Sequence, residues 1–302
     1  MPISRRKFFK VAAATGAGAC AALTAPAQAS AAKLPDDPGY GMLNDSTRCI
    51  GCKACQAACK RVNELPPDST LGDGGRLFDS PRTLSDSTYT LVKMQRDEES
   101  GEATFVKEQC MHCLDPACKS ACLVLAFVRE ETGAVTWNSR KCMGCRYCMI
   151  ACPYNVPQFE WHRAIPDISK CTLCHDTRLV HGRPTACAEV CPVDAITFGH
   201  RDELLRIARN RIAANPDRYD PHVYGEHEVG GTGVLYLTKP KVSFASLGLP
   251  PFGYKGVPRL TESIQHGIFK YFIPPVAIYA ALGGIMAFNQ RRNKLKGETD
   301  HE

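Results

Sequence analysis

Periodic apolar patterning is sparse along this chain, and the segments that carry it are short. Arg201 to Ala214 sets leucines and isoleucines at helical spacing and stops before Pro216, which predicts a surface helix packed on the body of the fold. Thr88 to Met94 with Thr104 to Lys107, and Ala126 to Val128 with Val135 to Trp137 across Thr132-Gly133, read as two short hairpins. Between Glu64 and Asp86 the chain is dense in Gly, Pro, Asp and Ser, the composition of an inserted loop.

Two uncharged stretches lie near the ends. Val11 to Leu23, rich in Ala and Gly, follows Ser4-Arg-Arg-Lys-Phe-Phe-Lys10 and leads to Ala27-Gln28-Ala29, the small-x-small pattern that a signal peptidase cuts. Its adjacent Arg5-Arg6 pair resembles the twin-arginine signal, a receptor-read address for exporting folded proteins. Tyr271 to Phe288 carries no charge and, extended back to Gly267, reaches the ~20 residues that cross a bilayer. Pro274 and Pro275 are tolerable near the start of such a helix. Arg291, Arg292, Lys294 and Lys296 follow at once, so the positive-inside rule puts the carboxyl end in the cytoplasm. The expected layout is a signal peptide over 1–29, an exported domain over 30–265, a transmembrane helix over 266–290 and a cytoplasmic tail over 291–302.

Composition narrows the picture. With 44% hydrophobic and 23% charged residues in 302, the chain is neither disordered nor a multi-span membrane protein, and it is long enough to fold without cross-links. The net charge of +6 loses four positive charges with the signal, so no basic face for nucleic acid is expected. Cysteine is the departure, with 17 in all. Cys20 goes with the signal and sixteen remain.

The sixteen fall into four runs: Cys49-x2-Cys52-x2-Cys55-x3-Cys59, Cys110-x2-Cys113-x4-Cys118-x3-Cys122, Cys142-x2-Cys145-x2-Cys148-x3-Cys152 and Cys171-x2-Cys174-x12-Cys187-x3-Cys191. Pro153 and Pro192 follow the last cysteine of two of them. A cubane needs four thiolates aimed at four corners, and one tight turn wraps only three. In two-cluster ferredoxins the fourth comes from another run, so the motifs work in pairs and predict two ferredoxin-like units holding four [4Fe-4S] clusters. Zinc sites use Cys-x2-Cys pairs but have no need of a third and fourth cysteine at these spacings. A disulfide framework is the ordinary expectation for an exported cysteine-rich chain, but twin-arginine export lets clusters assemble in the reducing cytoplasm and cross already bound. His112 and His175, beside ligand cysteines, read as residues that tune a cluster rather than bind it. His222, His227 and His266 have no metal-ligand spacing.

With these runs the sequence resembles the four-cluster ferredoxin-like electron-transfer subunits of bacterial respiratory oxidoreductases. Within that family it resembles the iron-sulfur subunits of membrane-bound hydrogenase-2, through Gln109-Cys-Met-His-Cys, Gly144-Cys-Arg-Tyr-Cys-Met, Ala151-Cys-Pro-Tyr-Asn-Val-Pro, Tyr224-Gly-Glu, Ile264-Gln-His and the closing apolar segment. One departure is Leu123, where a Pro after the second run's last cysteine is common. The resemblance implies nested pairing. Cys49, Cys52, Cys55 and Cys191 would hold cluster 1, and Cys59, Cys171, Cys174 and Cys187 cluster 2. Cys110, Cys113, Cys118 and Cys152 would hold cluster 3, and Cys122, Cys142, Cys145 and Cys148 cluster 4. It further implies an α+β fold with one lobe from 40–66 and 165–200, the other from 105–160, an insertion at 67–104 and an accessory segment at 201–265.

The chain has no glycine-rich phosphate loop and no nucleophile motif, and sixteen thiolates for four clusters leave no open coordination position. The expected role is therefore a non-catalytic relay on the periplasmic side of the cytoplasmic membrane. By resemblance its partners are the small and large catalytic subunits of a hydrogenase, an integral membrane quinone-reactive subunit, and lipid around the terminal helix. The alternative is the same role for a molybdenum oxidoreductase such as formate dehydrogenase. The export reading predicts that Arg5→Lys with Arg6→Lys traps the precursor in the cytoplasm, because the receptor reads arginine and not merely charge. Fractionation with normal periplasmic delivery of the double variant would point to a different export route.

Overall fold

Two distant parts of the chain meet on one short strand, β1 (Tyr40–Asp45). In the computed structural model the described residues are 37–68, 78, 81–96, 101–162, 167–258, 279 and 282–288. They run through α1 (Ala54–Val62), β2 (Leu91–Arg96), β3 (Ala103–Glu108), α2 (Ala117–Ser120), β4 (Phe127–Arg129), β5 (Val135–Trp137), α3 (Tyr147–Ala151), β6 (Gln158–Phe159), β7 (Ile168–Ser169), α4 (Ala186–Glu189), β8 (Ile196–His200), α5 (Arg201–Ala214) and β9 (Val234–Leu237). Lys33–Leu260 is one unit, and 1–32 with 261–302 the other.

The strand β1 lies between two partners. It pairs antiparallel with β8, Tyr40 opposite His200, and parallel with β9, Met42 opposite Val234. Period-two alternation divides the side chains between two layers. Met42, Ile196, Val234 and Tyr236 face a core that contains Cys55, Cys187, Met111 and Leu173. Leu43, Leu235 and Leu237 face the other way, onto Leu204, Leu205 and Ala208 of α5. Gly41 lies where β1 and the approach to β9 come closest: a Cβ there would stand 2.0 Å from the Gly233 carbonyl oxygen.

The helix predicted over Arg201–Ala214 is α5, and it covers the outer face of this sheet. Sequence patterning does not single out β9, whose four residues are all buried in the sheet, so the accessory segment completes the central layer as well as packing on it. Buried cations stitch that segment down. Arg201 donates to the carbonyls of Thr232 (2.7 Å), Gly225 (3.1 Å) and Glu226 (2.8 Å). Arg211 and the Tyr219 hydroxyl both reach the buried Asp45 carboxylate, at 3.0 and 2.9 Å.

Both predicted hairpins form, as β2 with β3 and β4 with β5, the first strand of the former beginning three residues later than expected. A third, β6 with β7, carries no sequence signal of its own. Of the inserted stretch, residues 69–77 and 79–80 lie outside the described residues. Its described flanks are held by Lys60 on α1, whose amine donates to the carbonyls of Pro66 and Ser87, both at 2.9 Å, and pairs with Asp68 at 2.7 Å.

The expected signal peptide and the tail lie outside the described residues, as does most of the expected membrane span. Tyr279 and 282–288 of that span are helical, with Ile285, Met286 and Phe288 exposed. Among the described residues no helix is long and apolar enough to cross a membrane, so the described fold lends the expected span no support.

Candidate iron-sulfur cluster sites

Each cysteine run folds into the same tight loop and helix, to which the second, third and fourth runs add a return turn. The first part is a tight loop in which the residue just before the second cysteine takes a positive φ: Gly51 (71°), His112 (46°), Gly144 (72°) and Leu173 (58°). That left-handed turn aims a backbone N–H back at the first thiol. Gly144 N–H donates to Cys142 Sγ at 3.4 Å and Leu173 N–H to Cys171 Sγ at 3.5 Å. Glycine is required at 51 for a second reason, since a Cβ there would press 2.6 Å from the Phe105 ring.

The second part is a helix that carries the third cysteine: Cys55 on α1, Cys118 on α2, Cys148 on α3 and Cys187 on α4. The fourth follows four residues later, one helical turn on, in or just past the helix. The third part is a return turn. Leu125, Asn155 and Asp194 take positive φ, and their N–H groups donate to the carbonyls of Cys122 (3.2 Å), Cys152 (3.1 Å) and Cys191 (3.4 Å).

Helix packing then sets which runs meet: α1 packs on α4, and α2 on α3. Cys49, Cys52, Cys55 and Cys191 line one cavity, and Cys110, Cys113, Cys118 and Cys152 line another. Cys59 has Cys171, Cys187 and Cys174 as its electrostatic neighbours, and Cys148 has Cys142, Cys145 and Cys122. The sixteen cysteines are thus brought into four sets of four, each with three thiols from one run and one from its partner. The sets also follow one another. Cys55 of the first neighbours Cys187 of the second, Cys171 of the second neighbours Cys110 of the third, and Cys118 of the third neighbours Cys148 of the fourth. Only Cys52 and Cys145, in the first and fourth sets, are exposed.

All sixteen are free thiols. Burial pushes Cys55, Cys148 and Cys171 up to about 12 and Cys152 to about 11, and raises Cys59, Cys113 and Cys118 as well. Bare thiols of this kind stay protonated at neutral pH. Four thiolates in so dry a space need a cationic core, which displaces the protons as it binds. Walls of four sulfurs with N–H donors trained on them fit a [4Fe-4S] group, whose potential those donors help to set.

Sequence reasoning placed His112 and His175 near the clusters. His112 is fully buried and its Nδ1 accepts from the Val135 N–H at 2.9 Å, which leaves the proton on Nε2; burial holds its pKa well below the usual histidine range. His175 Nδ1 lies 2.9 Å from the Thr132 hydroxyl. Sequence patterning does not point to Lys107 and Lys170, each 4% exposed and each lining a cysteine cavity. Lys170 donates to the Cys171 carbonyl at 2.9 Å, to the Val135 carbonyl, and to Cys110 Sγ at 3.8 Å.

The placement of Cys191 against the first run yields a sharp expectation. Cys191→Ser should damage the centre walled by Cys49, Cys52 and Cys55 and spare that of Cys171, Cys174 and Cys187, only four to twenty residues away in sequence. Electron paramagnetic resonance of the reduced protein reads the difference, and loss confined to the sequence-adjacent centre would contradict the shared-helix arrangement.

Comparison with known proteins agrees with this geometry. A profile for the 4Fe-4S dicluster domain matches residues 102–201, and a second profile of the same description matches 48–126. A protein of Nitratidesulfovibrio vulgaris is 40% identical over 307 residues, spanning 99% of this chain and 80% of its own length. The hydrogenase-2 operon protein HybA of Escherichia coli O157:H7 is 36% identical over 333 residues, spanning 99% of this chain and all of that one. The iron-sulfur subunit of the nitrate-inducible formate dehydrogenase of Escherichia coli K12 is 38% identical over 200 residues, 65% of this chain and 66% of that one. With two dicluster domains and full-length similarity to HybA, the chain belongs to the family of multi-cluster [4Fe-4S] electron-transfer subunits of respiratory oxidoreductases.

Proposed function

We propose that this chain is the relay of an exported hydrogenase complex. It carries electrons through four [4Fe-4S] clusters between the catalytic subunits and the quinone pool, by way of an integral membrane partner. The observation that carries the reading is the continuous order of the four thiol sets, with one exposed cysteine at each end. A relay must expose two termini and insulate what lies between. Ile50 stands open beside Cys52, and Met143, Tyr147 and Ile150 beside Cys145, the apolar surroundings that a docking partner would cover.

Hydrogenase is preferred to formate dehydrogenase as the donor because similarity to HybA runs the full chain, whereas the formate dehydrogenase match covers 65% of it. The protein acts on the periplasmic side of the membrane, delivered folded by its arginine-pair signal and anchored through residues 266–290. These readings rest on the charge pattern of the two termini.

Iron and acid-labile sulfide assays on anaerobically purified protein should give about sixteen of each per chain, four for each of four cubanes. About eight irons in fully loaded protein, or zinc in their place, would sink the four-cluster reading. Truncation after Leu260, which keeps every thiol set and ends with the unit Lys33–Leu260, should leave a water-soluble, cluster-loaded protein. It should still accept electrons from its catalytic partner with a dye as acceptor, yet fail to support hydrogen-dependent quinone reduction in membranes. Full quinone reduction by the truncated form would make the terminal segment dispensable.

A further inference from the structure

The described buried cations are satisfied with one exception. Lys60, Lys170, Arg178 and Arg201 all donate to carbonyl or carboxylate oxygens. Lys107 is as deeply buried, 4% exposed, and its Nζ has no hydrogen-bond partner. Burying an ammonium ion without a partner is strongly unfavourable, so such a group persists only where other charge compensates it. The titratable groups around it are Cys187, Cys55, Cys171 and Cys59, members of the first and second thiol sets that become anionic when they bind a metal core, and it lines the cavity of Cys49, Cys52, Cys55 and Cys191. Lys107 comes at the end of β3, where the Tyr236 hydroxyl on β9 donates to its carbonyl at 2.6 Å and fixes the backbone. The strand thereby delivers one positive charge to the junction between two thiol sets.

We propose that the ammonium of Lys107 is the element that sets the reduction potentials of the two centres held by the first and second thiol sets. This rests on the four-cluster reading. A core bound by four thiolates is anionic and becomes more so when it gains an electron. A fixed positive charge favours the more negative state, so it raises the potential of each centre it faces. Dry thiolate walls alone would push both potentials down and make these centres poor electron acceptors. Lys107 offsets that without being a ligand and without any bond changing. The charge acts on two centres at once because it stands between them, which keeps their potentials close and the step from one to the other shallow.

The test is a potentiometric titration of full-length, cluster-loaded protein, with dithionite supplying one electron per centre through mediators and electron paramagnetic resonance as the readout. In Lys107→Met two of the four centres should become harder to reduce. The expected change is at least about tenfold in the reduction equilibrium, the scale of a unit charge acting across about 12 Å at an effective dielectric of about 20. For a one-electron centre that is about 59 mV to the negative. Lys107→Arg should leave all four near their native values. Unchanged potentials in loaded Lys107→Met would overturn the proposal, and so would an equal shift of all four centres. If the Met variant fails to retain iron, the same titration on Lys107→Gln decides. If both lose iron while the Arg variant keeps it, the positive charge serves to hold these centres and not to set their potentials, and the proposal fails. Iron loss from the Arg variant too would make Lys107 a packing residue and overturn the idea. A native protein with fewer than four clusters would instead refute the four-cluster reading, and iron and sulfide content measured first separates that failure from this one.

Discussion

Four cysteines on one tight loop cannot all face one cubane, and the fold is organised around the remedy. The third cysteine of every run sits on a helix packed against the helix of a partner run, and the fourth follows four residues later, in or just past that helix. Such a helix passes one thiol to each of two neighbouring sites. No lobe can complete a site until both of its helices are docked, so cluster binding and folding of the pair are one event. For α2 and α3 the docking partner is close in sequence. For α1 and α4 it is more than a hundred residues away, and closing a loop of that length costs on the order of 4 kcal/mol in chain entropy.

The central sheet offsets that cost. β1 ends four residues before Cys49 and β8 begins five residues after Cys191, so their antiparallel pairing draws the first and last runs together. β9 adds the third strand from beyond both, and α5 seals the outer face with Leu204, Leu205 and Ala208. Asp45, at the end of β1, is locked by Arg211 and Tyr219 from the same carboxyl-terminal segment. The segment that carries no ligand is therefore what clamps the most distant ligands into one lobe.

How much of this the sequence discloses depends on how local the cause is. The cysteine runs are legible because ligand spacing is dictated by the cluster, and α5 is legible because its apolar positions recur every turn. β1, β8 and β9 are four to six residues long, and their pairing is between segments far apart, so periodicity cannot single them out. The buried lysines are hidden for a different reason. Lysine is among the residues least expected inside, and the thiols around Lys107, those of Cys55, Cys59, Cys171 and Cys187, come from runs far from it in sequence, so its surroundings are assembled only when the runs converge. The nested grouping of the thiols came from family resemblance and not from spacing, since the links between successive runs are of similar length. Its physical cause is the docking of α1 on α4 and of α2 on α3.

The four left-handed loop positions divide in a way that follows the electron path. In the first and fourth sets, which reach the surface through Cys52 and Cys145, the position is glycine. In the second and third it is Leu173 and His112, 1% and 0% exposed. A side chain held at positive φ costs on the order of 1 kcal/mol relative to glycine, so these two positions must return something. Leu173 packs in the core beneath the sheet, and His112 accepts the Val135 N–H and faces the Lys107 and Lys170 charges as a neutral ring. Inner loops use their strained residue to fill space and exclude water between the two lobes. Outer loops give up the side chain, which keeps their backbone low and leaves Cys52 and Cys145 open to solvent. Insulation in the middle and access at the ends thus arise from one backbone turn used four times, with the residue at its tightest point deciding which of the two each copy provides.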